Sequence, residues 1–113
     1  MASDAGGLLG GVSLEGLEAE VVSRSPLAIR VSGELDVVTA PAVADLLASI
    51  SGSGASEVQI DAAGLSFVDS QGLNVLMQAR RRGLRLRLSS ASPQLLRVLD
   101  LGGLAELFPL DPA

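Results

Sequence analysis

Leu27, Ile29 and Val31 alternate with Ala28, Arg30 and Ser32, a period of two that predicts a strand with one buried face. A weaker alternation through Ala19 and Val21 predicts a strand from Glu18 to Ser23. The Ser25-Pro26 pair between them is a turn signal, so the two strands are predicted as a hairpin. Val43, Leu46, Leu47 and Ile50 follow the i, i+3, i+4, i+7 rule and predict a helix to about Ser51. Pro41 suits its first turn, and Gly52-Ser53-Gly54 ends it. Val58 to Ala62 predicts the next strand, followed by a short loop through Gly64, Leu65, Ser66, Phe67 and Val68. Leu73, Val75, Leu76, Met77 and Ala79 return to helical spacing, so a second helix runs from Ser70 to about Arg82 with Gly83 as its C-cap. Leu84, Leu86 and Leu88 alternate with Arg85, Arg87 and Ser89 in a fourth strand. Ser92-Pro93 reads as an N-cap and first helical residue, and Leu95, Leu96, Val98 and Leu99 form the stripe of a third helix. Gly102-Gly103 stops it, and Leu104 to Phe108 forms a last turn or short strand.

The order β-β-α-β-α-β-α predicts an α/β fold: a mixed, mostly parallel sheet of about four to five strands with an N-terminal hairpin and helices packed against it. At 113 residues the chain is predicted to hold one domain, residues 13–113, behind a flexible Gly/Ala/Ser-rich leader, residues 1–12. Hydrophobic residues make up 48% and aromatics 2%, so the core must be aliphatic. No apolar run approaches the ~18 residues needed to span a bilayer, and no signal peptide opens the chain. The expectation is a cytoplasmic protein without membrane insertion.

Charge and side-chain chemistry narrow the function. The chain has no Cys and no His, which removes disulfides, thiol nucleophiles, Ser-His-Asp triads and the commonest metal ligand. Asp61 and Asp69 stand eight positions apart, which is no metal signature, and no cofactor or metal is assigned. A hydrolase built on Ser70 lacks both a base and the G-x-S-x-G elbow. The net charge of −5 argues against direct nucleic-acid binding. All basic residues are Arg, and Arg80, Arg81, Arg82, Arg85 and Arg87 fall together. They read as a solvated helix end and strand face, or as a docking patch for an acidic partner or anionic lipid.

Asp69-Ser70-Gln71-Gly72 concentrates the candidate chemistry, because it sits where strand hands over to helix. Ser70 there faces free backbone N–H groups and the positive end of the helix dipole, a place that tolerates phosphate. The plainer reading is a helix N-cap. Asp69 is either a loop acceptor for backbone N–H groups or a partner contact. Asp36 caps the turn after its strand or belongs to an interface. Gly72 permits close approach of backbone or partner.

Three segments together resemble STAS domains, and within them the bacterial anti-sigma factor antagonists. They are Gly33-Glu34-Leu35-Asp36 with Thr39; Leu65 through Leu73; and Ser92-Pro93 through Leu99 with Gly103-Leu104 and Phe108. The resemblance spans about Val21 to Phe108. It implies that Ser70 is phosphorylated by the anti-sigma factor, a serine kinase of the histidine-kinase-like ATPase type. It also implies that the unphosphorylated form binds that partner and frees a sigma factor, and that a serine phosphatase resets the cycle. The implied contact surface holds Asp36, Asp69, Ser70, Gln71 and Gly72, and the implied protein is not an enzyme. Gln71 departs from the pattern, since active antagonists commonly carry Ser or Thr there. STAS domains also serve as accessory subunits of phospholipid-transport ATPases without a phosphorylation cycle, and that is the alternative expectation.

Overall fold

The computed structural model describes residues 10–111. Its elements are β1 (Gly11–Leu14), β2 (Leu17–Arg24), β3 (Leu27–Leu35), α1 (Ala40–Gly52), β4 (Glu57–Val68), α2 (Ser70–Arg81), β5 (Arg85–Ala91), α3 (Pro93–Leu101) and a 3-10 turn (Ala105–Leu107). The strands form one sheet in the order β1-β2-β3-β4-β5. β1–β2 and β2–β3 pair antiparallel, and β3–β4 and β4–β5 pair parallel. The expected hairpin is β2–β3, turned through Ser25 and a cis Pro26. The parallel half arises because α1 and α2 carry the chain back over the sheet between successive strands.

Alternation explains why the helices cover one face only. Leu86 and Leu88 of β5 are buried, while Arg85, Arg87 and Ser89 are exposed. Val58, Ile60 and Ala62 of β4 and Ile29 and Val31 of β3 point the same way, into a core closed by Val43, Leu47, Ile50, Val75, Leu76, Leu95 and Leu99. That core is aliphatic except for Phe108, which is buried at 3% exposure. The opposite face is polar and open, laced by Arg30 to Glu20 (3.3 Å) and Asp61 (3.5 Å). On the same face Arg87 contacts Glu57 (3.7 Å) and Asp111.

The helix ends follow their sequence signals. Ser92 Oγ accepts from Leu95 N–H at 3.1 Å with Pro93 in the first turn of α3, and Gly83 follows α2 with a φ of +99°.

Two boundaries differ from the pattern-based expectation. Gly11 and Val12, assigned to the leader, belong to edge strand β1, which pairs with β2 from Gly11↔Glu20 to Leu14↔Leu17. The remainder of that leader, residues 1–9, lies outside the described residues. β4 continues through the stretch expected to be a loop and ends only at Val68. It does so with register shifts against β3, between Arg30 and Ser32 and between Gly33 and Glu34. These irregularities break the alternation by which a strand is recognised. Among the described residues no helix is long and apolar enough to cross a membrane.

Candidate functional site

Leu35 and Val68 are register partners at the C-terminal ends of the parallel strands β3 and β4. The next residue of each strand is an aspartate, so Asp36 and Asp69 leave the sheet side by side. Asp69 N–H donates to the Leu35 carbonyl at 3.2 Å, which fastens the two strand ends together. The site is therefore built by sheet pairing between segments more than thirty residues apart in sequence.

Asp69 does two structural jobs. Its Oδ1 accepts from Gly72 N–H at 2.9 Å, making it the N-cap of α2. Its Oδ2 accepts from Val37 N–H at 3.2 Å, tying the β3–α1 loop to the start of α2. The cap is thus Asp69 rather than Ser70. Ser70 is the first helical residue, is exposed, and its hydroxyl bonds no described residue. A residue in that position has its backbone N–H without an intrahelical acceptor and its side chain at the positive end of the helix.

Asp36 closes its own loop. Its Oδ1 accepts from Val38 N–H (2.9 Å) and Thr39 N–H (3.0 Å). Thr39 is buried at 3% exposure; its hydroxyl donates to the Glu34 carbonyl at 2.7 Å and accepts from Asp36 N–H at 3.0 Å. The Thr39 N–H, aided by Val38 N–H and opposed by partial burial, holds the Asp36 carboxyl below the usual carboxylate range. Asp36 is consequently an anion at neutral pH, fixed at the strand end beside Asp69.

Gly72 is buried, and its closest neighbour is the chain itself: a Cβ there would sit 2.5 Å from the Leu35 carbonyl oxygen. Of the two expected readings, close approach of backbone or of a partner, the structure shows the first, which lets α2 start tight against the end of β3. Gln71 is exposed next to Ser70. Asp61, considered with Asp69, instead faces Arg30 on the open sheet face.

Sequence reasoning passed over three apolar side chains at this end. Val37 is 62% exposed, Val38 77% and Phe67 48%, and all flank the Asp36–Asp69 pair. The valines were legible, because two β-branched residues between a loop aspartate and a helix start have no periodic partner to bury them. Phe67 was not, because the two register shifts of β4 bury Leu65 between them and hide the alternation that turns position 67 outward. Asp36, Asp69, Ser70 and Gln71 together with these three side chains make an exposed surface with an apolar patch, an acidic floor and one free hydroxyl.

Residues 19–109 match a family model described as Mlab, STAS domain. The anti-sigma-B factor antagonist of Bacillus subtilis is 27% identical over 92 residues, covering 78% of this chain and 84% of that protein. That of Listeria monocytogenes is 33% identical over 86 residues, covering 73% and 75%. The crystal structure of an anti-sigma factor antagonist from Mycobacterium paratuberculosis superposes with a TM-score of 0.73 at 26% identity, over 89% of this chain and 90% of that one. The chain belongs to the STAS domain family, the family of the bacterial anti-sigma factor antagonists.

Proposed function

We propose that this protein is a non-enzymatic regulatory module of the cytoplasm. Unphosphorylated, it binds an anti-sigma factor through the surface around Ser70, releasing a sigma factor for transcription. Phosphorylation of Ser70 by that anti-sigma factor, a serine kinase of the histidine-kinase-like ATPase type, ends the binding, and a serine phosphatase restores it. The observation that carries this reading is the free, exposed hydroxyl of Ser70 at the start of α2, set among an apolar patch and two fixed carboxylates.

The physics of the switch follows from that placement. A phosphate adds about −1.5 to −2 charges at neutral pH beside Asp69 and near Asp36. The helix N-terminus offsets about 0.3–1 kcal/mol of the repulsion within the chain. A partner face built to meet this surface instead encounters a new unpaired charge, at a cost of several kcal/mol. Binding is lost while the fold persists.

The deciding experiment incubates the protein with ATP and candidate anti-sigma kinases, maps phosphate by peptide mass, and measures affinity for the Ser70 variants. Phosphate on Ser70, tight binding by Ser70→Ala and weak binding by Ser70→Asp are expected. Equal affinity of the two variants would reject the switch.

A second reading, an accessory subunit of a phospholipid-transport ATPase docking through the same surface, is favoured by Gln71. Its exposed amide stands beside Ser70 and cannot take phosphate. That reading predicts no phosphate at Ser70 with any anti-sigma kinase.

A further inference from the structure

Arg80 and Arg81 finish α2, Arg82 is its C-cap, and Arg85 opens β5 just beyond the Gly83 turn; all four are exposed. The chain from Ser70 to Leu99 contains no Asp or Glu, although the protein as a whole has a net charge of −5. Two other arginines are neutralised locally: Arg30 meets Glu20 and Asp61, and Arg87 meets Glu57 and Asp111. Glu57 is the register partner of Arg85 yet reaches Arg87 (3.7 Å). Among the described residues no carboxylate pairs with Arg80, Arg81, Arg82 or Arg85. Arg80 Nε donates to the Leu107 carbonyl at 3.3 Å, which holds that side chain at the mouth of a groove. Arg85, Arg87, Glu106, Leu107 and Pro109 line the rest of it.

A helix C-terminus accounts for one or two cations in its last turn. It does not account for Arg85, which lies on a strand, and the carboxylate that lines the groove, Glu106, forms no ion pair with Arg80 or Arg85. We propose that this arginine pole is a second docking surface, at the opposite end of α2 from Ser70, and that it takes an acidic segment of a partner protein.

Three features favour that occupant. The groove offers guanidinium groups, whose planar fork suits carboxylates bidentately, above apolar Leu107 and Pro109. Glu106 lines the groove and Glu57 and Asp111 hold Arg87, so a continuous anionic surface or polyanion meets more repulsion than a short segment whose carboxylates fall on Arg80 and Arg85. The only aromatics are Phe67, at the Ser70 end, and buried Phe108, so the pole has no ring on which a base could stack. The pole also acts independently of Ser70. A helix of 12 residues is about 18 Å long, and the Debye length in physiological salt is about 8 Å.

The test measures fluorescence anisotropy of a labelled peptide of alternating glutamate and leucine, titrated with the full chain. Arg81→Glu and Arg85→Glu are each expected to weaken binding about tenfold, as loss of an interfacial charge contact does. Arg97→Glu makes the same charge change at an exposed position of α3 and is expected to leave affinity unaltered. Circular dichroism melts establish that the variants are folded. Absence of peptide binding, or equal weakening by all three variants, overturns the proposal. So does tighter binding to phosphatidylglycerol–phosphatidylcholine vesicles or to oligo-uridine than to the peptide.

Discussion

An alanine at position 72 would bring its Cβ to 2.5 Å from the Leu35 carbonyl oxygen and 2.6 Å from the Leu35 Cγ. Alanine gains about 1 kcal/mol over glycine in helix propensity, whereas forced overpacking costs about 1–3 kcal/mol. The nearest clashing atom is backbone in a paired strand, so it cannot turn aside, and the steric cost prevails. Gly72→Ala is therefore expected to lower the melting temperature by several degrees in circular dichroism, on the scale of about 4–8 °C per kcal/mol for a small domain. An unchanged melt would show that α2 can begin farther from β3. Asp36 makes a different prediction, in pH. Its carboxyl is held low in the folded state by the Thr39 and Val38 N–H groups, so folding is favoured by its ionisation. The contribution is present above the unfolded value of about 3.9 and is lost as pH falls through the lower folded value. Asp111, lowered chiefly by its hydrogen bond from Arg87, loses stability in the same direction. Asp36→Asn should flatten the acid limb of a stability-against-pH curve and leave the Asp111 component in place. An acid limb identical to that of the unsubstituted protein would remove Asp36 from the account.

Asp69 carries the argument from residue to element, since one carboxylate holds both the start of α2 and the loop leading into α1. Asp69→Ala is expected to cost about 1–2 kcal/mol, the range for a lost N-cap, and to speed hydrogen exchange at the Val37 and Gly72 amides together. Faster exchange at Gly72 alone would show that the Val37 bond contributes nothing. This double role also marks how far the sequence could be read. Helices with clean apolar stripes and terminal signals, such as α3 between Ser92 and Gly102, were legible because the signals are local. β1 was not, because Gly11–Leu14 is short and largely exposed and exists only through its pairing with β2. The second half of β4 was hidden for a related reason. Buried Ala62, Leu65 and Val68 lie three apart, a spacing that the bulged pairing with β3 permits and that regular alternation does not. At the site, Asp36 and Asp69 were recognisable singly. Their adjacency came from the parallel register, and the capping role passed from Ser70 to Asp69 because β4 ends one residue before the cap.

Across the whole molecule the two ends of the sheet differ in character. Val37, Val38 and Phe67 stand exposed with Ser70 where β3 and β4 end, while the other exposed large apolar side chains of the described residues, Leu14, Leu96, Leu101 and Leu110, lie on β1, α3 and the C-terminal segment. Exposed apolar residues contribute little to folding, so replacing them should separate binding from stability. Interface anchors of this kind typically cost more than about 1 kcal/mol when truncated, and central aromatic ones 2 kcal/mol or more. Phe67→Ser and Val38→Ser are thus expected to weaken partner binding by about tenfold or more, at a conversion of 1.4 kcal/mol per factor of ten. Phe67 should have the larger effect because its ring offers more area. Neither change should move the melting temperature by more than about a few degrees, since surface substitutions usually alter stability by less than about 0.5 kcal/mol. Calorimetric titration against the anti-sigma factor, paired with thermal melts of the same samples, reads both quantities. Strong destabilisation with unchanged affinity would mean that Phe67 supports the bulged end of β4 rather than a partner. Weakened affinity with intact folding would put the phosphate proposed for Ser70 at the edge of an apolar contact. In that arrangement one charged group suffices to break the contact without disturbing the sheet beneath it.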